Sequence, residues 1–451
     1  MGRKRHYAPL RVLLNNRLVG HLVKEPGGGI EFRYDDIWLE REQAFPVSLS
    51  LPLREEAYRG EKVVAVFENL LPDSETLRRR VAEKVGAAGT DAYSLLSQIG
   101  RDCVGALQFI AEGEGDAAAG AAGTAGGGNR DRDDNQPLSR IEGEVVSDND
   151  IKQMLNNLVQ TPLGLDRDQA FRISIAGAQE KTALLFHQGK WLKPRGTTPT
   201  THIFKTRIGT LPNGVDLSNS IENEYYCLKL LAAFGLPVNE ARIETFRGTK
   251  ALVVERFDRK WTADGRLLRL PQEDCCQALS VHSGRKYQNE GGPGMVDILN
   301  LLKGSDSPAE NQKAFLKAQM LFWLMGATDG HAKNFSLFLG PGGRFRLTPF
   351  YDVVTAQPSL AARQMERKQM KLAMSVGNSR HYRIDDVQGR HFLQTAARAG
   401  LPEAMARAAL DEIVKNAEMA LKAVEDQLPS GFPEKLHLSV RKGFLTRLSK
   451  A

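Results

Sequence analysis

The sequence predicts an α+β protein of two lobes, the first rich in strands and the second all-helical, with a small α+β module ahead of both. Three observations carry that expectation. Short runs rich in β-branched and aromatic residues recur up to Phe257, and long amphipathic runs fill most of the chain beyond it. Between the first module and the rest lies Glu112 to Gln136, EGEGDAAAGAAGTAGGGNRDRDDNQ, which has no aromatic or large aliphatic residue with which to build a core.

Taken in order, Pro9 to Leu14 and Arg17 to Val23 flank Asn15-Asn16, a dipeptide suited to a tight hairpin turn, and IEFRY comes after the glycines at 27–29 as a third strand. Pro72-Asp73-Ser74-Glu75 reads as a helix start, and Asp91 to Ile99 carries Tyr93, Leu95, Leu96 and Ile99 at helical spacing. After the Gly/Ala-rich segment come strands at Lys181 to His187, Thr201 to Ile208, Ala241 to Phe246 and Lys250 to Phe257, with a helix from about Ser218 to Phe234 among them. Helices then dominate. Glu310 to Met325 is strongly apolar towards its end, and Pro402 and Pro433 each stand where a helix would begin.

Composition narrows the function classes. The 451 residues are 41% hydrophobic and 25% charged, which excludes fibrous, wholly disordered and disulfide-stapled classes. The longest apolar run, Met320 to Met325, is far shorter than the ~18 to 20 residues of a bilayer helix, so no membrane partner is expected. No secretory leader is expected, because Asn15, Asn16 and Arg17 cut the apolar stretch behind the basic start. The four cysteines, two of them adjacent, suit neither a disulfide framework nor a metal knuckle and point to a reducing cytoplasm. A net charge of +7 fits an anionic partner without naming it.

The most informative stretch is Gly326 to Gln357, directly after an apolar helix. Asp329 and Asn334 are separated by four residues, the spacing at which a protein-kinase catalytic loop places a base for the substrate hydroxyl and a magnesium ligand. A hairpin through Gly-Pro-Gly-Gly would bring Asp352 back towards Asn334 as a second, hard oxygen ligand. Singly, Asp329 and Asn334 are ordinary turn formers and Asp352 an ordinary helix cap; together, on this path, they read as a phosphoryl-transfer site.

Other segments can be placed around them. FRISIAGAQEKTALL offers a small-residue turn whose backbone N–H groups, with Lys181, can cradle phosphate oxygens, although a plain turn has the same composition. It is not a Walker A loop, because Glu180 stands where glycine is required and a strand comes next in place of a helix. Lys205, at the end of a strand pattern, needs an anionic partner if buried; Glu222 and Glu224 are the candidates, and Glu224 has the more apolar neighbours. Glu255 to Phe257 ends a strand where a hinge would meet an adenine ring. No G-x-S-x-G elbow, H-E-x-x-H, zinc finger or RNP motif competes.

These residues, with NNRLVGHL, SLSLPL, FENLLPD, LLSQIGRDCVGAL, TPTTHIFK, NEYYC, VERFDR, LPQEDCCQ, GGPG, GATDGHAKNFS and TPFYDV in order, are similar to the HipA family, bacterial serine/threonine kinase-fold toxins of type II toxin–antitoxin systems. The resemblance covers nearly the whole chain and implies a kinase-like fold. It implies an N-terminal subdomain over 1–111, a linker or insertion over 112–136, an ATP-binding lobe over 137–260 and a helical lobe with the catalytic loop over 261–451. It further implies that Asp329 is the catalytic base, that Asn334 and Asp352 bind Mg2+, and that Ala176, Gly177, Ala178, Gln179, Glu180 and Lys181 form the ATP-phosphate loop. Lys205 would grip phosphates, Glu255, Arg256 and Phe257 would meet the adenine, and His331, Ala332, Lys333 and Tyr351 would complete the nucleotide site.

Ser174 matches the family's autophosphorylated serine, and a phosphate there would add about −1.5 to −2 charges beside a loop that must hold ATP phosphates. Implied partners are a HipB-like helix-turn-helix antitoxin, operator DNA through that complex, and an aminoacyl-tRNA synthetase substrate, typically glutamyl-tRNA synthetase. Its modification would arrest translation and growth and promote persistence, and the implied location is the bacterial cytoplasm. The absence of H-R-D, D-F-G and A-P-E means that substrate preference cannot be taken from ordinary protein kinases. A catalytically silent co-repressor and a small-molecule kinase are the alternatives; intact Asp329, Asn334, Asp352 and Lys205 argue against the first.

Overall fold

The computed structural model describes residues 7–112, 141–165, 171–177 and 179–451. Nearly all of the Gly/Ala-rich segment at 112–136, and Ala178 of the expected phosphate loop, lie outside the described residues. The mixture of helices and sheets is α+β, and no described helix is long and apolar enough to cross a membrane. The chain divides into two compact units, the first of residues 1–203 with 256–272 and the second of 204–255 with 273–451.

In the first unit, Asn15 and Asn16 both take positive φ, 48° and 66°, which lets the strands Leu10–Leu14 and Arg17–Lys24 pair through a two-residue turn. They belong to a five-stranded antiparallel sheet ordered Tyr58–Arg59, Ile30–Tyr34, Arg17–Lys24, Leu10–Leu14, Leu107–Ala111. Gly20 is required where it stands, since a Cβ would lie 2.3 Å from the Arg33 carbonyl oxygen. Apolar residues of this sheet, including Leu10, Val12, Leu22 and Phe32, share one core with Val66, Phe67, Leu77, Leu95 and Leu96 of three helices. Two of those helices begin within the segments where helix starts were expected. Ser74 accepts from Leu77 N and Asp91 from Ser94 N. The unit also holds the strands Lys181–His187, Lys190–Pro194 and Gly143–Val145, paired antiparallel in that order.

A buried ionic cluster ties residues 256–272 into this unit. Asp102 Oδ1 accepts from Arg259 Nη2 and Arg269 Nε, each at 2.9 Å, while its Oδ2 accepts from Thr200 N at 3.0 Å. Asp258 takes two bonds from Arg256, at 3.0 and 2.8 Å, and one from Gly105 N at 2.7 Å. Burial by itself would raise the Asp102 carboxyl, but Arg259, Arg269 and Arg256 together hold it well below the usual carboxylate range.

The second unit is organised by the helix Pro308–Met325, whose side chains from Phe315 to Met325 are buried, and Gly326 closes it with φ 76°. The helices Glu403–Glu425 and Glu434–Leu448 pack on it. Arg447 Nε donates to Leu324 O at 2.8 Å and satisfies one of its last carbonyls. Helices at Ser220–Ala233 and Gly389–Arg398, and the hairpin of Ala241–Phe246 with Thr249–Glu255, complete the frame. Two short hairpins, Ser336–Leu339 with Phe345–Leu347 and Lys371–Val376 with His381–Arg383, sit among the helices. The strand expected over Thr201 to Ile208 is confined to His202–Lys205.

Candidate functional site

The site begins where the central helix ends. Gly330 must lack a side chain, because a Cβ would lie 2.5 Å from the ring of Phe322. The loop turns through His331 N to Asp329 O, 2.9 Å, and a single 3-10 turn at Ala332–Asn334. Asn334 Nδ2 then donates to Asp329 O at 2.8 Å and to Asp352 O at 3.3 Å, so one amide braces the loop against the chain returning from the hairpin. Asp352 sits at φ 56°, a left-handed conformation that is costly for a residue with a Cβ and concentrates at functional sites.

Lys205 joins these elements. Its ammonium donates to Glu224 Oε1 and Oε2 at 2.7 and 2.9 Å and to Asp352 Oδ1 at 2.8 Å. Burial would lower its pKa, but Asp352 and Glu224 outweigh burial and keep it a cation throughout the working range. Glu222, the other candidate, pairs with Lys250 Nζ at 2.5 Å instead. Neighbouring Asn223 exchanges two hydrogen bonds with the backbone of Thr355, at 2.8 and 2.9 Å, which fixes the helix bearing Glu224 to the segment bearing Asp352.

Around the loop, Tyr351 OH donates to Lys333 O at 2.9 Å and lies 2.6 Å from Ser336 Oγ; burial pushes its phenol well above its usual pKa. Lys333 is buried with Nζ 4.0 Å from Asp274 Oδ2. Tyr287 OH donates to Asp329 Oδ1 at 2.5 Å, and His331 Nε2 lies 4.0 Å from the same oxygen. Thus Asp329, His331, Ala332, Lys333, Asn334, Tyr351, Asp352, Lys205 and Glu255 belong to the second unit, and the hydrogen bonds above join most of them into one constellation.

Ser174, Ala176, Gly177, Gln179, Glu180, Lys181, Arg256 and Phe257 belong to the first unit. There Lys181 Nζ donates to Ala176 O at 2.8 Å, and Gly177, at φ 108°, accepts from Asp73 N at 3.2 Å. Glu180 Oε1 accepts from Arg80 Nη1 at 2.7 Å. Ser174 is fully buried, its Oγ donating to Leu70 O at 2.7 Å and its N–H to Asp102 O at 3.0 Å. The Arg256 side chain is committed to Asp258, Thr200 and the Cys103 carbonyl, so an adenine contact at this position would have to use backbone.

Residues that carry this geometry and were given no role from the sequence are Tyr287, Arg80 and Asn223, the last inside the quoted NEYYC. Each acts through a partner dozens of positions away. Asp352 and Asn334 offer hard oxygens of the kind magnesium shares with substrate phosphates, so their chemistry fits that ion. Among the described residues no group of three His, Cys, Asp or Glu forms an all-protein metal cage.

Comparison with known proteins places this geometry in context. The HipA N-terminal domain family matches residues 10–110 and the HipA-like C-terminal domain family matches residues 173–421. The chain is 33% identical over 421 residues to Y4mE of Sinorhizobium fredii, whose name marks it as a proposed kinase, covering 92% of each protein. It is 26% identical to the serine/threonine-protein kinase toxin HipA of Shewanella oneidensis, over 86% of this chain and 83% of that one. The solved Shewanella oneidensis HipA, in its complex with HipB and operator DNA, shares the fold with a TM-score of 0.77 at 23% identity, covering 98% of this chain and 96% of that one.

Proposed function

The chain belongs to the HipA family, and from that premise we propose that it is a toxin acting as a Mg-ATP-dependent serine/threonine protein kinase. Asp329 serves as the base, and Lys205, Asn334 and Asp352 hold the nucleotide and its metal. The observation that carries this reading is the contact of one buried lysine with both Glu224 and Asp352, in the same compact unit as the Asp329 loop. The two carboxylates are not equivalent. The Asp352 side chain is 36% exposed against 4% for Glu224, so Asp352 is the one able to turn to a cation while Glu224 keeps Lys205 in place.

Magnesium, when bound, supplies charge neutralisation across the ATP phosphates. The protein's own part is positional. Lys205 draws on phosphate oxygens, and Asn334 holds the loop. Asp329 accepts the proton of the acceptor hydroxyl as its oxygen attacks the γ-phosphorus and the bond to ADP breaks. The Asp329 side chain is 57% exposed, which suits a hydroxyl carried on a protein surface better than a small molecule in a closed cleft.

Family membership supports two finer statements. Ser174 is the autophosphorylation site, and its modification switches the enzyme off: a dianionic phosphate cannot occupy the buried position where Ser174 Oγ now bonds Leu70 O. The protein substrate is a translation component, with glutamyl-tRNA synthetase the family's usual target, and a HipB-like antitoxin at operator DNA restrains it. The solved relative's assembly with HipB and DNA supports that last point. Calorimetric titration tests the site itself. Wild type should bind ATP with magnesium, Asp352→Asn at least ~10-fold more weakly, since a hydrogen-bonded charged group is worth about 1.5 to 3 kcal/mol. A wild type that binds no nucleotide would favour the silent co-repressor.

A further inference from the structure

Tyr287 is assigned no part in the site by its sequence context, yet it touches the base directly. Its phenol donates to Asp329 Oδ1 at 2.5 Å. Its ring meets His331 edge-on, with centroids 4.9 Å apart and planes at 85°. The backbone that presents it is held from several sides. Tyr287 O accepts from Glu290 N at 3.0 Å and Gly292 N at 2.9 Å, Lys286 O accepts from Ala332 N at 3.4 Å, and Gln288 Oε1 accepts from Ser375 N at 2.6 Å. Gly292 cannot carry a side chain, because a Cβ would lie 2.1 Å from Arg285 O. Tyr287 therefore stands on a shelf stapled both to the catalytic loop and to the strand Lys371–Val376.

An aspartate more than half exposed on a loop would sample several side-chain rotamers. Catalysis by positioning is sensitive to that freedom, since an acceptor held slightly out of line reacts much more slowly. Asn334 fixes the Asp329 main chain through its carbonyl, but it does not fix the carboxylate. The phenol acts on the carboxylate itself, at Oδ1. We propose that Tyr287 is a positioning residue for phosphoryl transfer, its hydroxyl holding Oδ1 of Asp329 and so fixing the carboxylate that takes the proton of the acceptor hydroxyl. The inference rests on the reading of Asp329 as the base.

The test is the initial rate of ADP release from Mg-ATP, before self-modification accumulates, by wild type, Tyr287→Phe and Asp329→Asn, with melting temperature and the ATP concentration at half-maximal rate measured for each. Phenylalanine keeps the ring against His331 and removes only the hydroxyl. Loss of a hydrogen bond to a charged group should slow kcat roughly 10- to 100-fold, leaving the half-saturating ATP concentration and the melting temperature at wild-type values. Tyr287→Phe at the wild-type rate while Asp329→Asn is inactive overturns the part given to Tyr287 alone. So does a loss shared between rate and ATP saturation, which marks a general disturbance of the site. Asp329→Asn at the wild-type rate would instead remove Asp329 as the base, and the proposal with it.

Discussion

At the scale of single residues, Lys205 is the point on which the site turns. Its ammonium is buried against two carboxylates, and each of the three would be costly to bury alone. Lys205→Met should therefore abolish kinase activity and also lower folding stability by about 3 to 5 kcal/mol, because the buried carboxylate of Glu224 loses the cation that donates to both its oxygens. The double variant Lys205→Met with Glu224→Met should recover most of that stability in denaturant titrations and none of the activity. Recovery of activity would mean that the pair is structural only. Of this geometry, the pairing with Glu224 was legible from apolar neighbours along one helix. The bond to Asp352 was not, because it joins residues 147 positions apart.

Between elements, two clusters have consequences that can be measured. Asp102 is surrounded by Arg256, Arg259 and Arg269, so Asp102→Ala should cost roughly 3 to 5 kcal/mol by leaving three buried guanidinium groups with Asp258 as the one carboxylate of the cluster. An effect under about 1 kcal/mol in denaturant would show the cluster to be solvated instead. The second cluster is the stacked pair His381 and His391, with centroids 4.1 Å apart, which joins the hairpin Lys371–Val376 and His381–Arg383 to the helix Gly389–Arg398. Burial, then His381 and then Arg390, depress the His391 pKa below its usual value. A base depressed in the folded state is protonated first in the unfolded chain. Its contribution is thus complete above the unfolded pKa near ~6.5 and is lost as pH falls from there through the folded value. Thermal stability should drop between pH 7 and 5, and His391→Gln should flatten that drop; an unchanged slope would remove His391 as its cause.

The elements were largely legible because their signals are local: the Asn15-Asn16 turn, the caps Ser74 and Asp91, and the prolines at 402 and 433 each act within a few residues. Features that were not legible depend on partners distant in sequence. Arg256 reads as a hinge residue next to Glu255, yet its guanidinium is spent on Asp258 and Thr200. The hairpin Lys371–Val376 with His381–Arg383 is the exception, a local feature within the lobe expected to be all-helical. Tyr287 becomes interesting only because the fold returns Asp329 to it from 42 positions away.

For the whole molecule, the central claim is that a chain of the HipA family, carrying an assembled lysine, carboxylate and asparagine constellation, transfers phosphate to protein and silences itself at Ser174. Ser174 and Asp329 belong to different compact units, and Ser174 is buried with its hydroxyl engaged, so self-modification requires that the segment around it leave its place beside Leu70. The most direct measurement is intact-mass spectrometry of the purified protein after incubation with Mg-ATP, beside Asp329→Ala and Ser174→Ala. One added phosphate on the wild type, absent from both variants, is the expected result. A wild type that gains no phosphate, or an Asp329→Ala variant that gains it at the same rate, would contradict the claim.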